Sequence, residues 1–176
     1  MRRTAAFFLL AASLWAVGCS KIMETPSGSV QTELKPAQRF TLMDLKNEAV
    51  SLDRLLSTHK SVLINFWATW CSYCVEEMSD LVKLQAEHGA RGFTVLAVDV
   101  GETAEQASAF AQKHGLNFPI VLDTDNTVAQ NYGLVGIPVS YLIGSDGKVL
   151  GEYHGFTKKL VSDVEASLKA ADQVKP

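Results

Sequence analysis

Asn65-Phe66-Trp67-Ala68-Thr69-Trp70-Cys71-Ser72-Tyr73-Cys74 is the stretch around which this chain of 176 residues is organised. The apolar run Val62-Leu63-Ile64 just before it reads as a strand, and Val75, Met78, Leu81 and Val82 after it keep helical spacing. Two cysteines separated by two residues therefore stand at a strand-to-helix junction. A helix N-terminus offers unpaired N–H groups and the positive end of the helix dipole, and both stabilise an anion. The anion at hand is a thiolate. Cys71 falls at the cap and Cys74 one turn in, on the same helix face and within disulfide reach. A free thiol with a pKa of about 8.5 is only slightly ionised at neutral pH, and lowering it to about 7 makes it half ionised. That shift is worth about 2 kcal/mol, which a dipole and a few hydrogen bonds can supply. The pattern is that of a redox dithiol on a βαβ unit.

Working outward, residues 61–66 are apolar on both alternations, as a central strand covered on both faces requires. Residues 71–88 form the helix that carries the dithiol, ended by Gly89. A second buried strand at 93–98 is closed by Asp99. A helix at 103–114 has Thr103 as its N-cap and Gly115 after its end. A short strand at 118–122 and a short helix at 126–132, stopped by Gly133, come next. Strands at 139–143 and 149–153 are joined by the turn Ser145-Asp146-Gly147-Lys148, and an amphipathic helix at 157–171 follows. Ahead of the dithiol, residues 40–43 and 49–52 flank 44–48 as a hairpin, and 53–57 form a short helix starting near Ser51 or Asp53. The expectation is one α/β domain over residues 34–172: a central mixed β-sheet flanked by helices, with an N-terminal β-hairpin extension.

The formal charge is −3 with no basic run, which excludes a nucleic-acid partner. Arg2 and Arg3 precede an apolar run over 5–17, then Gly18-Cys19: the three regions of a signal peptide over residues 1–18, too short for a permanent membrane span. Ala16-Val17-Gly18-Cys19 resembles the lipobox of bacterial lipoproteins, with Ala16 where Leu is commonest. That resemblance makes Cys19 the lipidated first residue of the mature protein. Ser20 follows it rather than Asp, which points to the outer membrane. An ordinary signal peptide would instead leave Cys19 a spare thiol. Residues 19–33, rich in Ser, Thr, Gly and Pro, read as a tether. The expectation is an exported chain facing the periplasm, where disulfides persist.

The combination of Phe66-Trp67-Ala68-Thr69-Trp70-Cys71-x-x-Cys74, Gly136-Ile137-Pro138-Val139-Ser140 and Asp146-Gly147-Lys148-Val149 resembles the thioredoxin superfamily. Within it the chain is most similar to the membrane-tethered TlpA/ResA-type thiol-disulfide oxidoreductases. The resemblance implies a thioredoxin-like fold in which Cys71 is the attacking thiolate and Cys74 resolves the mixed disulfide. It implies no cofactor beyond the dithiol. It makes Pro138 cis, facing the dithiol, with Ile137 pairing an extended substrate strand; without the resemblance a trans loop proline is the default. It places an acid near the site at Glu77, while Glu76 reads as a solvated helix charge. Asn65 stands where many thioredoxins have a buried acid, and Asn does not titrate. Trp70 is read as a wall of the site, Trp67 as packing, and Tyr73 as a substrate contact. Two departures are Tyr73 and Ser79, at positions where many relatives have Pro; the first bears on redox potential and the second on helix kinking.

The implied function is reduction of disulfides in exported proteins, for this family often the haem-binding cysteines of apocytochrome c. The implied partners are those substrates, a membrane thiol donor of the DsbD/CcdA kind and the membrane through the lipid anchor, with the protein itself a monomer. An oxidase or isomerase of the same fold is the alternative within the class. A copper chaperone of the Sco type is the alternative outside it, although those have a wider cysteine spacing and a matching downstream His. Structural zinc needs four ligands, and His59, His88, His114 and His154 show no ligand spacing, so no metal is expected. A peroxiredoxin is disfavoured because Pro-x-x-x-Thr-x-x-Cys is absent before Cys71.

Overall fold

The computed structural model describes residues 34–173. The expected signal peptide over 1–18, the expected tether over 19–33 and the expected lipidation site Cys19 lie outside the described residues. The chain runs β1 (Thr41–Asp44), β2 (Ala49–Ser51), α1 (Leu52–Thr58), β3 (Ser61–Trp67), α2 (Ser72–His88), a 3₁₀ turn (Gly89–Arg91) and β4 (Phe93–Val100). It continues with α3 (Ala104–His114), β5 (Ile120–Asp123), α4 (Thr127–Asn131), β6 (Val139–Gly144), β7 (Val149–Tyr153) and α5 (Lys158–Gln173). The seven strands form one mixed sheet in the order β2-β1-β5-β4-β3-β6-β7. β3, β4 and β5 are parallel, as the helical crossovers between them require. β6 and β7 extend one edge antiparallel, and the β1–β2 hairpin pairs antiparallel to β5 at the other. This is the expected α/β sheet with its hairpin extension.

Every residue of β3 is buried, which explains its lack of apolar–polar alternation. Leu63 and Trp67 pack with Met78, Leu81 and Leu84 of α2 and Leu160, Val164 and Leu168 of α5. Val62, Ile64 and Phe66 face the opposite layer, with Leu52 and Leu56 of α1 and Val128 and Ala129 of α4. Truncating Phe66 or Trp67, both fully buried, costs about 3–5 kcal/mol. Asn65 shares the α2 side with Leu63 and Trp67, and the site is built on that placement.

Several element ends differ from the sequence reading for local reasons. α2 ends at His88 with Gly89 as its C-cap, as read, but Gly89 does not itself reverse the chain. It keeps a helical φ of −55°, and the reversal falls at Gly92, φ +95°, whose carbonyl accepts from Lys60 N at 2.7 Å. β5 starts at Ile120 rather than at 118, because Pro119 has no N–H to give; its carbonyl instead accepts from Ala97 N. α4 is shorter than 126–132, with Asn126 left-handed at φ 61°. Its first amides are capped from outside: the Asp123 carboxylate accepts from Val128 N and Ala129 N at 3.1 and 2.8 Å. α3 is capped as expected by Thr103, with Gln106 completing a capping box. α2 is continuous through Ser79. Among the described residues no helix is long and apolar enough to cross a membrane.

Candidate active site

β3 ends at Trp67, and the chain turns at residues 68–71, closed by Cys71 N–H donating to Ala68 O at 3.2 Å. The turn exposes Trp70, which is 70% accessible, and delivers Cys71 as the N-cap of α2. Cys71 caps with sulfur where helices ordinarily use oxygen: its Sγ accepts from Cys74 N at 3.2 Å. Charge on that sulfur faces the helix N-terminus and is stabilised there. Cys71 and Cys74 are joined in a disulfide with Cα atoms 5.2 Å apart. Cys74 is fully buried, whereas Cys71 borders the surface.

The loop before β6 meets the dithiol. The Ile137–Pro138 peptide is cis, and Cys71 Sγ lies 3.8 Å from Ile137 O. A cleft of about 440 Å³ runs alongside, lined by Tyr73, Leu134, Val135, Ile137, Pro138 and Tyr141 among others. A second, of about 390 Å³, shares Leu134 and Ile137 with it and is lined by Trp70 as well. Tyr73 is 73% accessible and Val135 is fully exposed. Exposed aromatic and aliphatic groups around a reactive sulfur fit an extended polypeptide better than a small polar molecule.

Beneath this rim sits Glu77, only 6% accessible, one turn beyond Cys74 on α2. Asn65 Nδ2 donates to Glu77 Oε1 at 2.7 Å and to Ser140 Oγ at 2.9 Å. Asn65 Oδ1 has no protein partner. Burial pushes the Glu77 carboxyl up to about 7, with the bonds from Asn65 and from the Phe156 backbone offsetting part of the rise. Glu77 also lines a cleft of about 250 Å³ with Tyr73, Glu76, Asp80, Pro138 and Phe156, which gives it a route to solvent. A group that titrates near neutrality beside a buried sulfur is chemically able to exchange protons with it. Glu76 is exposed, in keeping with a solvated helix charge.

The structure thus gathers Trp70, Cys71, Tyr73, Cys74, Glu77, Ile137 and Pro138 at one end of β3. It adds three residues that sequence reasoning missed. Ser140 is the antiparallel register partner of Asn65 and was findable from that pairing. Asp99 and Glu102 lie at the carboxyl end of β4, where open parallel sheets place functional groups. Glu102 Oε2 and Oε1 accept from Thr69 N and Thr69 Oγ1 at 2.6 and 2.5 Å. Among the described residues no group of three or more His, Cys, Asp or Glu side chains is placed to hold a metal ion.

The model of the AhpC/TSA family matches residues 34–151. The thiol-disulfide oxidoreductase ResA of Bacillus subtilis (strain 168) is 32% identical over 142 residues, 80% of this chain and 78% of that one. ResA of Bacillus thuringiensis subsp. konkukian is 33% identical over 121 residues, 69% of each chain. Among solved structures, a thiol:disulfide interchange protein from Bacteroides sp. superposes with a TM-score of 0.69 at 28% identity, covering 80% of this chain and 92% of the other.

Proposed function

This chain belongs to the AhpC/TSA family and is a thiol-disulfide oxidoreductase of thioredoxin fold, and on that footing we propose that it reduces disulfides of exported proteins. The Cys71 thiolate attacks one sulfur of a substrate disulfide. The substrate S–S bond breaks as the Cys71–substrate bond forms, and the released sulfur leaves as a thiolate that takes up a proton. Cys74 gives its proton to the Glu77 carboxylate, and the new thiolate attacks Cys71 Sγ. The mixed disulfide breaks, the second substrate thiolate leaves and is protonated, and Cys71–Cys74 closes. The substrate has gained two electrons from the dithiol and two protons, one from Cys74 by way of Glu77 and one from solvent. Trp70 and Tyr73 hold the substrate segment, which pairs with the backbone at Ile137 beside Pro138.

The observation that carries the reducing direction is Glu77, buried one turn beyond Cys74. A carboxylate near the thiols disfavours their ionisation. Strong disulfide oxidants owe their potential to a stabilised reduced form, so an acid that withholds that stabilisation favours the disulfide and a reducing couple. The test is the reduction potential of Cys71–Cys74, measured by equilibration with glutathione or dithiothreitol. A value near about −270 mV, thioredoxin's, supports the reductase, and one near about −120 mV overturns it in favour of disulfide formation.

The same proposal places the protein outside the cytoplasm, anchored through Cys19, with the outer membrane as its site. Fatty-acid labelling that disappears in Cys19→Ser supports the anchor. A membrane thiol donor of the DsbD/CcdA kind re-reduces the dithiol, and haem-attachment cysteines of apocytochrome c are the proposed substrate class. A monomer suffices, since one sheet with both faces covered closes its own core.

A further inference from the structure

Thr69 is held twice by one side chain. It occupies the second position of the turn at 68–71, and both its amide and its hydroxyl donate to the two oxygens of Glu102. Both oxygens accept, the pattern of an ionised carboxylate. Glu102 is only 5% accessible and Thr69 is half-buried, so water competes little for the acceptor side of these bonds. It is itself seated on a second acid: Glu102 N donates to Asp99 Oδ1 at 3.2 Å, and Asp99 is fully buried with Oδ2 unpartnered. Two acids in one dry site are not both charged at low cost. We propose that Glu102, seated on Asp99, is a positioning residue for thiol-disulfide exchange, clamping the Thr69 turn so that Cys71 is held at the cap of α2.

This inference rests on Cys71 as the attacking thiol. The stabilisation of a Cys71 thiolate depends on where the turn sets its sulfur relative to the Cys74 amide. The turn has a single backbone bond of its own, Cys71 N to Ala68 O, and the two bonds to Glu102 fix it from outside. Asp99 keeps the pair at one negative charge. Burial first, then the Glu102 carboxyl through side-chain hydrogen bonding and repulsion, raise Asp99 to about 8, with the bond from Glu102 N offsetting part of the rise. Asp99 therefore holds its proton at neutral pH, and its ionisation above that range sets a second charge against Glu102 and loosens the clamp. Asp123 on β5 belongs to the opposite face of the sheet and is bound by the α4 amides. On α2, Glu77 is bonded to Asn65, and the cysteines of the oxidised protein do not titrate. On α3, Glu105 is exposed and His114 stacks on Phe110.

Two measurements on the full chain test this. In the oxidised protein, the Thr69 amide proton resonance is expected far downfield, with a pH step centred near 8. Asp99→Asn should remove that step and keep the downfield position. In exchange kinetics with a disulfide-bonded peptide, Thr69→Val should lower the rate constant about tenfold through loss of one charge-assisted bond, and Thr69→Ser should restore it. A Thr69→Val protein as fast as wild type, or a Thr69 amide with no step near pH 8, overturns the clamp. The second of these needs no variant to fold. Complete loss of exchange in Cys71→Ser alongside either result leaves the Cys71 reading intact, so the two failures are told apart.

Discussion

Glu77 and Glu102 are each more than nine-tenths buried beside the same dithiol, at 6% and 5% accessibility, yet they are held in opposite ways. Glu77 faces a neutral amide, and nothing nearby takes its proton for it. Its carboxyl is raised to about 7, so it changes charge in the working range, and a cleft of about 250 Å³ connects it to solvent. Glu102 faces two donors from one residue and has Asp99 beneath it to carry the proton of the pair. The first arrangement suits an acid that must gain and lose a proton in each cycle. The second suits an acid that maintains geometry. Burial alone does not decide what a carboxyl does; the donors around it and the presence of a second acid do.

The largest expected effect concerns the sulfur that Glu77 is proposed to serve. Cys74→Ser should lower turnover by about a thousandfold or more and leave Cys71 trapped in a mixed disulfide with substrate, visible as a mass adduct. Free turnover without an adduct would detach Glu77 from its proposed role. Next is Asp99→Asn. The folded-state pKa of Asp99 is raised from 3.8 to about 8, so its stabilising contribution is full below the unfolded value and is lost as pH rises through the folded one. The variant should therefore be more stable than wild type at pH 9 by at least about 3 kcal/mol in urea unfolding, with little difference at pH 3. Equal stability at both pH values would dissolve the one-proton pair. Glu77→Gln has the same sign over a lower window. From 4.5 to about 7 the wild type loses stability that the variant keeps, about 2 kcal/mol by pH 8. The same variant should flatten the pH dependence of thiolate formation. An unchanged profile removes Glu77 from the mechanism.

The two acids also differ in how legible they were. Glu77 is fixed by local geometry: three residues past Cys74 on one helix, it shares a face with the cysteine however the rest of the chain folds. Glu102 meets Thr69 across 33 residues, and the contact depends on where β4 ends. The sequence reading closed that strand at residue 98. The pairing instead runs to Val100, which sets Asp99 opposite Trp67 within the sheet. Gly101, at φ +80°, then turns the chain so that Glu102 reaches back under the Thr69 turn. The order of strands and helices along the chain, the capped helices and the dithiol were readable because hydrophobic period and cap residues act over a few positions. Side-chain clamps between loops, and the Asp123 cap of α4, were not, because their partners are distant in sequence and leave no period.

The smallest expected effect lies above both acids, at the rim. Tyr73 lines the large cleft beside Ile137 and also the small one that opens on Glu77. Unlike Asn65 and Thr69, it makes no hydrogen bond to either acid's carboxyl; its ring is 73% accessible and offers apolar area to a substrate segment. Removing it in Tyr73→Ala should cost a fraction of a buried ring's worth, raising KM for a disulfide peptide about two- to fivefold while leaving kcat unchanged. The pH profile is the informative readout. If Tyr73 only binds, the inflection from Glu77 stays where it is. If the ring also keeps water from the small cleft, its loss rehydrates the carboxyl, and the inflection moves down toward the ordinary range of Glu, because burial is the main cause of the raised value. Glu102 reaches neither of the clefts that Tyr73 lines, so an Asp99-dependent step near pH 8 should be unmoved in either case. A shift of both steps together would show that the two acids respond to one environment and would erase the distinction between them.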